Sequence, residues 1–157
     1  MSTFKPKYFA KDLESFTKQV VPPSMWNKWG LKALDKMDQR ICEFLEEFRK
    51  DCDVPLTVND WPWAGGFTQR GVRDVVQYGT YEKMAESRSD HLMGRAVDIV
   101  SKHLTGHELR AFFIYKEQYY FEKYGINFIE VGMLKDGSKM SWFHAGINID
   151  QGQGVQY

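Results

Sequence analysis

A chain of 157 residues with 21 basic and 21 acidic side chains has no formal net charge, so its overall field draws in neither nucleic acid nor an anionic wall without a local patch. Hydrophobic residues make up 43% and charged residues 27%, the balance of a soluble folded chain at a length that suits one domain. No apolar run approaches the roughly 18–20 residues of a membrane span. Met1-Ser2-Thr3-Phe4-Lys5-Pro6-Lys7 lacks the apolar stretch of a secretory signal, which predicts a protein made and kept in the cytoplasm until another factor releases it.

In chain order, Val20-Val21-Pro22-Pro23 is a stop signal, with Ser24 the cap of the next helix. From Leu31 to about Lys50, the residues Leu31, Leu34, Met37, Ile41, Phe44, Leu45 and Phe48 recur in three- and four-residue steps. That is the core-facing stripe of one amphipathic helix. Val54-Pro55-Leu56-Thr57-Val58 is a short strand, which Pro55 confines to a strand start or an edge. Asn59 to Arg88 reads as a long irregular stretch carrying Gly65, Gly66, Gly71 and Gly79, and loops of that length are functional or mobile.

Ala96 to Val100 predicts a buried strand. Thr105-Gly106-His107-Glu108 matches a capping box, with Leu104 placed to staple against Leu109. The helix it opens runs to about Tyr124 and ends at Gly125. Its aromatics (Phe112, Phe113, Tyr115, Tyr119, Tyr120, Phe121, Tyr124) cover more than one face, which predicts a well-buried helix. Asn127 to Met133 and Met140 to Ile149 read as two strands of a hairpin around Lys135-Asp136-Gly137. The tail from Gln151 to Tyr157 is polar, Gly-rich and expected to fray. Cys42 and Cys52 are the only cysteines, and with Cys42 inside a helix they read as a reduced pair.

The pattern is one α+β domain: an antiparallel sheet with helices packed on one side. A helical part spans 1–53, a site-bearing core about 54–150 and the tail 151–157, with no repeat.

Chemistry concentrates in Ser89-Asp90-His91-Leu92-Met93-Gly94-Arg95-Ala96-Val97-Asp98 and, far downstream, Trp142-Phe143-His144. Two histidines and an aspartate suit a catalytic zinc, which keeps three protein ligands and an open fourth position. A turn on Gly94 and entry into a strand let His91 and Asp98 face one point. An Asp inside the apolar run Ala96-Val97-Asp98-Ile99-Val100 needs a partner, because a lone buried carboxylate costs several kcal/mol. His103 and His107 lie outside this pattern and are assigned no metal.

The string resembles the Ser-x-His-x-x-Gly-x-Ala-x-Asp signature of the zinc D-Ala-D-Ala peptidases, in Ser89, His91, Gly94, Ala96 and Asp98. Trp142-x-His144 resembles the Trp-x-His element that closes their metal site. That superfamily takes in D-Ala-D-Ala carboxypeptidases, bacteriophage L-Ala-D-Glu endopeptidases, lysostaphin-type enzymes and the hedgehog signalling domain. The similarity covers roughly Leu56 to Asp150. It implies a hedgehog-like and D-Ala-D-Ala-peptidase-like fold, with zinc held by His91, Asp98 and His144.

Two departures from the family pattern matter. The carboxypeptidase branch has a carboxylate three residues before the last His, where this chain has Ser141. Hedgehog-like and some phage members carry instead a Glu on the preceding strand, and Phe128-Ile129-Glu130 resembles that arrangement. A three-residue Lys135-Asp136-Gly137 loop sets Glu130 opposite Trp142, so that Glu130 and His144 share a face; a two-residue turn puts them on opposite faces. Arg70-Gly71-Val72-Arg73 resembles the family's Ser-Gly-x-Arg element, with Arg73 in the substrate-contacting position and Arg70 in place of Ser.

The resemblance therefore implies Glu130 as general base and Arg73 as the group that stabilises developing charge. Arg70, Ser89 and Trp142 join them in substrate binding. Trp61, Trp63 and Phe67 either stack on a glycan or anchor their loop. The implied activity is hydrolysis of peptidoglycan stem peptides by a phage lysis or virion-associated endopeptidase, acting on the wall after release or as part of a virion. A D-Ala-D-Ala carboxypeptidase and a non-catalytic zinc-binding module are the alternatives.

Overall fold

The computed structural model describes residues 4–130 and 141–149. The Lys135-Asp136-Gly137 turn and the tail from Gln151 lie outside the described residues. Helix α1 (Leu13–Val20) is capped by Asp12, whose side chain accepts from the Ser15 amide. Helix α2 (Pro23–Trp29) starts at Pro23, so Ser24 is not its cap. Proline at the first helical position needs no N–H partner and has its φ already set. The Ser24 hydroxyl donates instead to Asp74.

The stripe from Leu31 to Phe48 is not one helix. Gly30–Lys36 forms a 3-10 helix, Leu31 is half exposed, and α3 (Gln39–Cys52) starts afresh behind Asp38. The break has two causes. The Asp38 side chain accepts from the Arg40 amide as an N-cap, and the Asp38 amide donates to the Gly94 carbonyl at 2.9 Å. A continuous helix would have spent that N–H internally. Helix α3 then buries Ile41, Cys42, Phe44, Leu45, Phe48 and Cys52. Both cysteines are free thiols, and burial pushes the Cys52 thiol up to about 12.

The expected strand over 54–58 reduces to a single antiparallel bridge between Thr57 and Val100. Pro55 has no N–H to offer a ladder there. The stretch 59–88 contains a 3-10 turn at Trp61–Trp63 and two short helices, α4 (Val75–Tyr78) and α5 (Tyr81–Glu86).

The capping box at Thr105 and Glu108 forms in full and opens α6 (Gly106–Tyr115). That helix stops at Lys116, and α7 (Glu117–Tyr124) continues beyond it, closed by left-handed Gly125. The expected single helix is thus broken. The bend lets Phe113 and Tyr120 stack at 5.2 Å, while the Lys116 ammonium reaches Asp51 at 2.8 Å. Burial is one-sided rather than all round, with Tyr115 89% exposed.

Three short strands, β1 (Ala96–Ile99), β2 (Phe128–Glu130) and β3 (Phe143–Gly146), form an antiparallel sheet in the order β1-β3-β2. Side chains alternate between its faces. Val97, Ile99, Ile129, Phe143 and Ala145 are fully buried on one face. Phe143 meets Phe48 of α3 and Phe113 of α6, each at 5.7 Å between ring centroids. The fold is α+β, and this apolar face fixes the register that sends the alternate residues to the opposite face. No helix of the described residues is long and apolar enough to cross a membrane.

Candidate metal centre

The face turned away from the core carries the site. Asp98 pairs with His144 across β1 and β3, and Glu130 pairs with His144 across β2 and β3. Residues directly opposite in antiparallel strands project to the same side, with Cβ atoms about 4.5–5.5 Å apart. Asp98, His144 and Glu130 therefore form one row across the sheet. The hairpin expectation set Glu130 opposite Trp142; the observed register is shifted by two residues. An even shift leaves every side chain on its face, so Glu130 and His144 do share one.

His91 reaches this row from the turn that precedes β1. The turn is closed by the Arg95 amide donating to the Asp90 carbonyl at 2.8 Å, and it swings on Gly94 at φ 68. A Cβ on Gly94 would stand 1.9 Å from the Lys36 carbonyl oxygen, so glycine is required twice, for its conformation and for its contact. The buried imidazole of His91 donates from Nδ1 to the Gly71 carbonyl at 2.8 Å. A carbonyl only accepts, so this bond puts the proton on Nδ1 and leaves Nε2 with a lone pair.

Three donor atoms then converge. His91 Nε2 lies 3.3 Å from His144 Nδ1 and 3.3 Å from Asp98 Oδ1, and the latter two are 2.8 Å apart. Ligands at about 2.0–2.1 Å around a tetrahedral ion stand about 3.3 Å from one another, so two sides of the triangle match and the third is short. Among the described residues, this is the one His/Cys/Asp/Glu group placed to hold a metal ion. Burial raises the Asp98 pKa, but the neighbouring His144 and His91 imidazoles outweigh it and hold the carboxyl well below the carboxylate range. The group is thus an anion ready to bind a cation.

The second Asp98 oxygen faces Arg73, 3.4 Å from a terminal guanidinium nitrogen. Arg73 is fixed further by Nε–H donating to the Gln69 carbonyl at 2.9 Å and by its amide donating to the His91 carbonyl at 3.2 Å. Arg70 lies over the Phe67 ring, 3.4 Å from its centroid. Arg70, Arg73, Gln69, Asp98 and Trp142 line one open cleft of about 410 Å³. Glu130 is solvent-exposed at the end of the row.

Ser89 is not part of the cleft lining. Its carbonyl accepts from the Leu92 amide, so it shapes the turn that carries His91. Trp61 anchors its loop through Nε1–H donating to the Val21 carbonyl at 2.9 Å, whereas Trp63 is 62% exposed. His103 and His107 are exposed and outside the cluster.

Several contributors carried no sequence signal. The Gly71 and Gln69 carbonyls are backbone atoms, which no residue type announces. Phe128, edge-on to His144 at 5.5 Å, and Gly146, where a Cβ would stand 3.5 Å from His144 Nε2, confine the imidazole. Strand alternation alone puts both on the site face. Buried Asn59 joins the N-terminal helices to the loop, donating to the Val21 carbonyl and accepting from the Arg70 amide. Comparison with family models, curated proteins and solved structures gives no match to this chain.

Proposed function

We propose that the chain is a zinc-dependent peptidase that hydrolyses peptidoglycan stem peptides, of the phage lysis or virion-associated kind that cuts between L-Ala and D-Glu. The observation that carries the reading is the row Asp98–His144–Glu130, with His91 closing a metal-sized triangle at one end and an exposed carboxylate at the other. His91, Asp98 and His144 would hold the ion. Neutral imidazoles and one carboxylate suit zinc among divalent metals. Zinc bound there supplies Lewis acidity, acidifying water and polarising a carbonyl.

The chain's own groups do the rest. Glu130 accepts a proton from the attacking water and returns it to the leaving amine, a carboxylate role that Ser141 cannot fill. Arg73, braced by Gln69 and Asp98, presents its planar fork towards the cleft, where it meets a substrate carboxylate or the oxyanion. Arg70 and Trp142 line the same cleft and orient the peptide. Stem peptides contain D-residues that ordinary proteases do not cleave, which fits the resemblance in the His91 to Asp98 string. Such an enzyme meets its substrate after release from the cell or as part of a virion.

Mass spectrometry of fragments released from purified peptidoglycan tests the proposal. Cleavage between L-Ala and D-Glu is expected. Loss of terminal D-Ala would make the protein a carboxypeptidase instead. No product from protein carrying one zinc per chain would leave a binding module.

A further inference from the structure

A second cleft, larger than the one beside the metal cluster, opens on the other side of the loop that carries Trp63. It measures about 980 Å³, at the top of the range for drug-sized ligands and far more than an ion needs. Its floor is rigid: the Thr57 and Val100 amides and carbonyls exchange two hydrogen bonds, at 2.8 and 2.9 Å. Its lip is rigid too. Asp60 Oδ1 accepts from the Phe67 amide at 2.8 Å, and its carbonyl accepts from the Trp63 and Gly65 amides, each at 3.0 Å. A Cβ on Gly65 would fall 2.1 Å from the Asp60 carboxyl carbon, so a side chain there would push the Asp60 carboxylate off the Phe67 amide.

That braced loop holds Trp63 62% exposed. Gln19 lines the same cleft from α1; it is only 4% exposed, and its amide oxygen has no hydrogen-bond partner. An unpaired buried amide oxygen is costly, and a ligand donor would remove the cost. Ser101, Thr57 and Lys102 add polar groups to a lining in which Leu56, Pro55 and Val100 supply apolar surface.

We propose that this cleft binds an N-acetylated sugar chain, with a pyranose ring on the Trp63 face and the acetamido N–H donated to Gln19. An acetamido group matches the lining in kind. It carries one amide donor for the unpaired oxygen and one methyl group for the apolar wall. An aromatic face with adjacent hydroxyl and amide partners suits a sugar ring, which is apolar on one side and polar at its rim. The assignment is independent of the peptidase reading, since it needs neither the metal nor Glu130.

The test is a titration of the full chain, in the presence of chelator, with soluble N-acetylglucosamine oligosaccharide, monitored by tryptophan fluorescence. Saturable binding is expected, weakened by about tenfold or more in Trp63→Ala and in Gln19→Leu. Gln19→Leu removes an unsatisfied polar atom, so its unliganded thermal midpoint should equal or exceed that of the parent chain. Glu130→Gln should bind the sugar as the parent does.

No saturation at millimolar oligosaccharide would overturn the proposal. So would equal affinity for a glucose oligomer lacking acetamido groups, or binding unchanged in both variants. Displacement of the sugar by an acidic peptide at lower concentration would reassign the cleft to protein. Because binding is read without metal, failure here leaves the peptidase reading untouched, and absence of released peptide leaves this one untouched.

Discussion

His91 has to offer a lone pair at Nε2, and the Gly71 carbonyl obliges it to by taking the proton on Nδ1. Asp98 divides its two oxygens in the same way, one towards the histidines and one towards Arg73. Removing His91 as Ala should abolish metal binding, read by native mass spectrometry. Glu130→Gln should keep the metal and lower kcat by about 10²–10⁴-fold, the worth of a general base. Full activity in that variant would eliminate Glu130 as the base. Gly94→Ala should cost about 2–4 kcal/mol in urea denaturation, because the added Cβ meets both a left-handed backbone and the Lys36 carbonyl. A change within experimental error would show that the turn can move without loss. The candidate ligands themselves were legible, since His91, Asp98 and His144 are residue types with a spacing. The carbonyls that aim them were not, because every residue has one.

Elements show where local pattern and tertiary demand part. The stripe from Leu31 to Phe48 keeps a helical period, yet the chain breaks at Met37 and Asp38 to give the Gly94 turn its hydrogen bond. Periodicity cannot see a donor that a distant carbonyl requires. The Lys116 break is of the same kind: one face of α6 and one of α7 are buried, and only a bend lets both aromatic sets reach Phe44 and Phe48. Local chemistry prevails where it is self-contained, as in the capping box of α6 and the terminal Gly125.

The cap of α3 gives a pH test. The Asp38 pKa is lowered from its ordinary 3.8, chiefly by the hydrogen bond from Arg40. A depressed carboxyl stabilises the fold fully above its unfolded pKa and loses that stabilisation as pH falls through its folded one. Asp38→Ala should therefore cost about 1 kcal/mol at neutral pH. The gap in urea midpoints from the parent chain should close in acid, below 3.8. A gap that stays constant from neutral pH into acid would show that the carboxylate charge contributes nothing.

At the scale of the whole molecule, one thin sheet separates two environments. Phe143 and Ala145 pack into the aromatic core, while His144 between them faces the opposite side with Asp98 and Glu130. The α+β class and the buried first strand were legible as alternation and period, whereas α4 lies on the site side, where Val76 and Gln77 line the cleft with Asp98. The shift of two residues in register was not, because it depends on the chain between residues 130 and 141, and loop length alone left it open. Faces survive an even shift, so the site was predictable even though its pairing was not.

The central claim is that this face becomes a catalyst when one divalent ion is bound. Protein stripped by chelator and titrated with zinc, with release of peptidoglycan fragments measured throughout, tests it most directly. Activity absent from the stripped protein and restored in full at one equivalent of zinc is the predicted result. Hydrolysis that persists in chelator, or none at one bound zinc per chain, would contradict it.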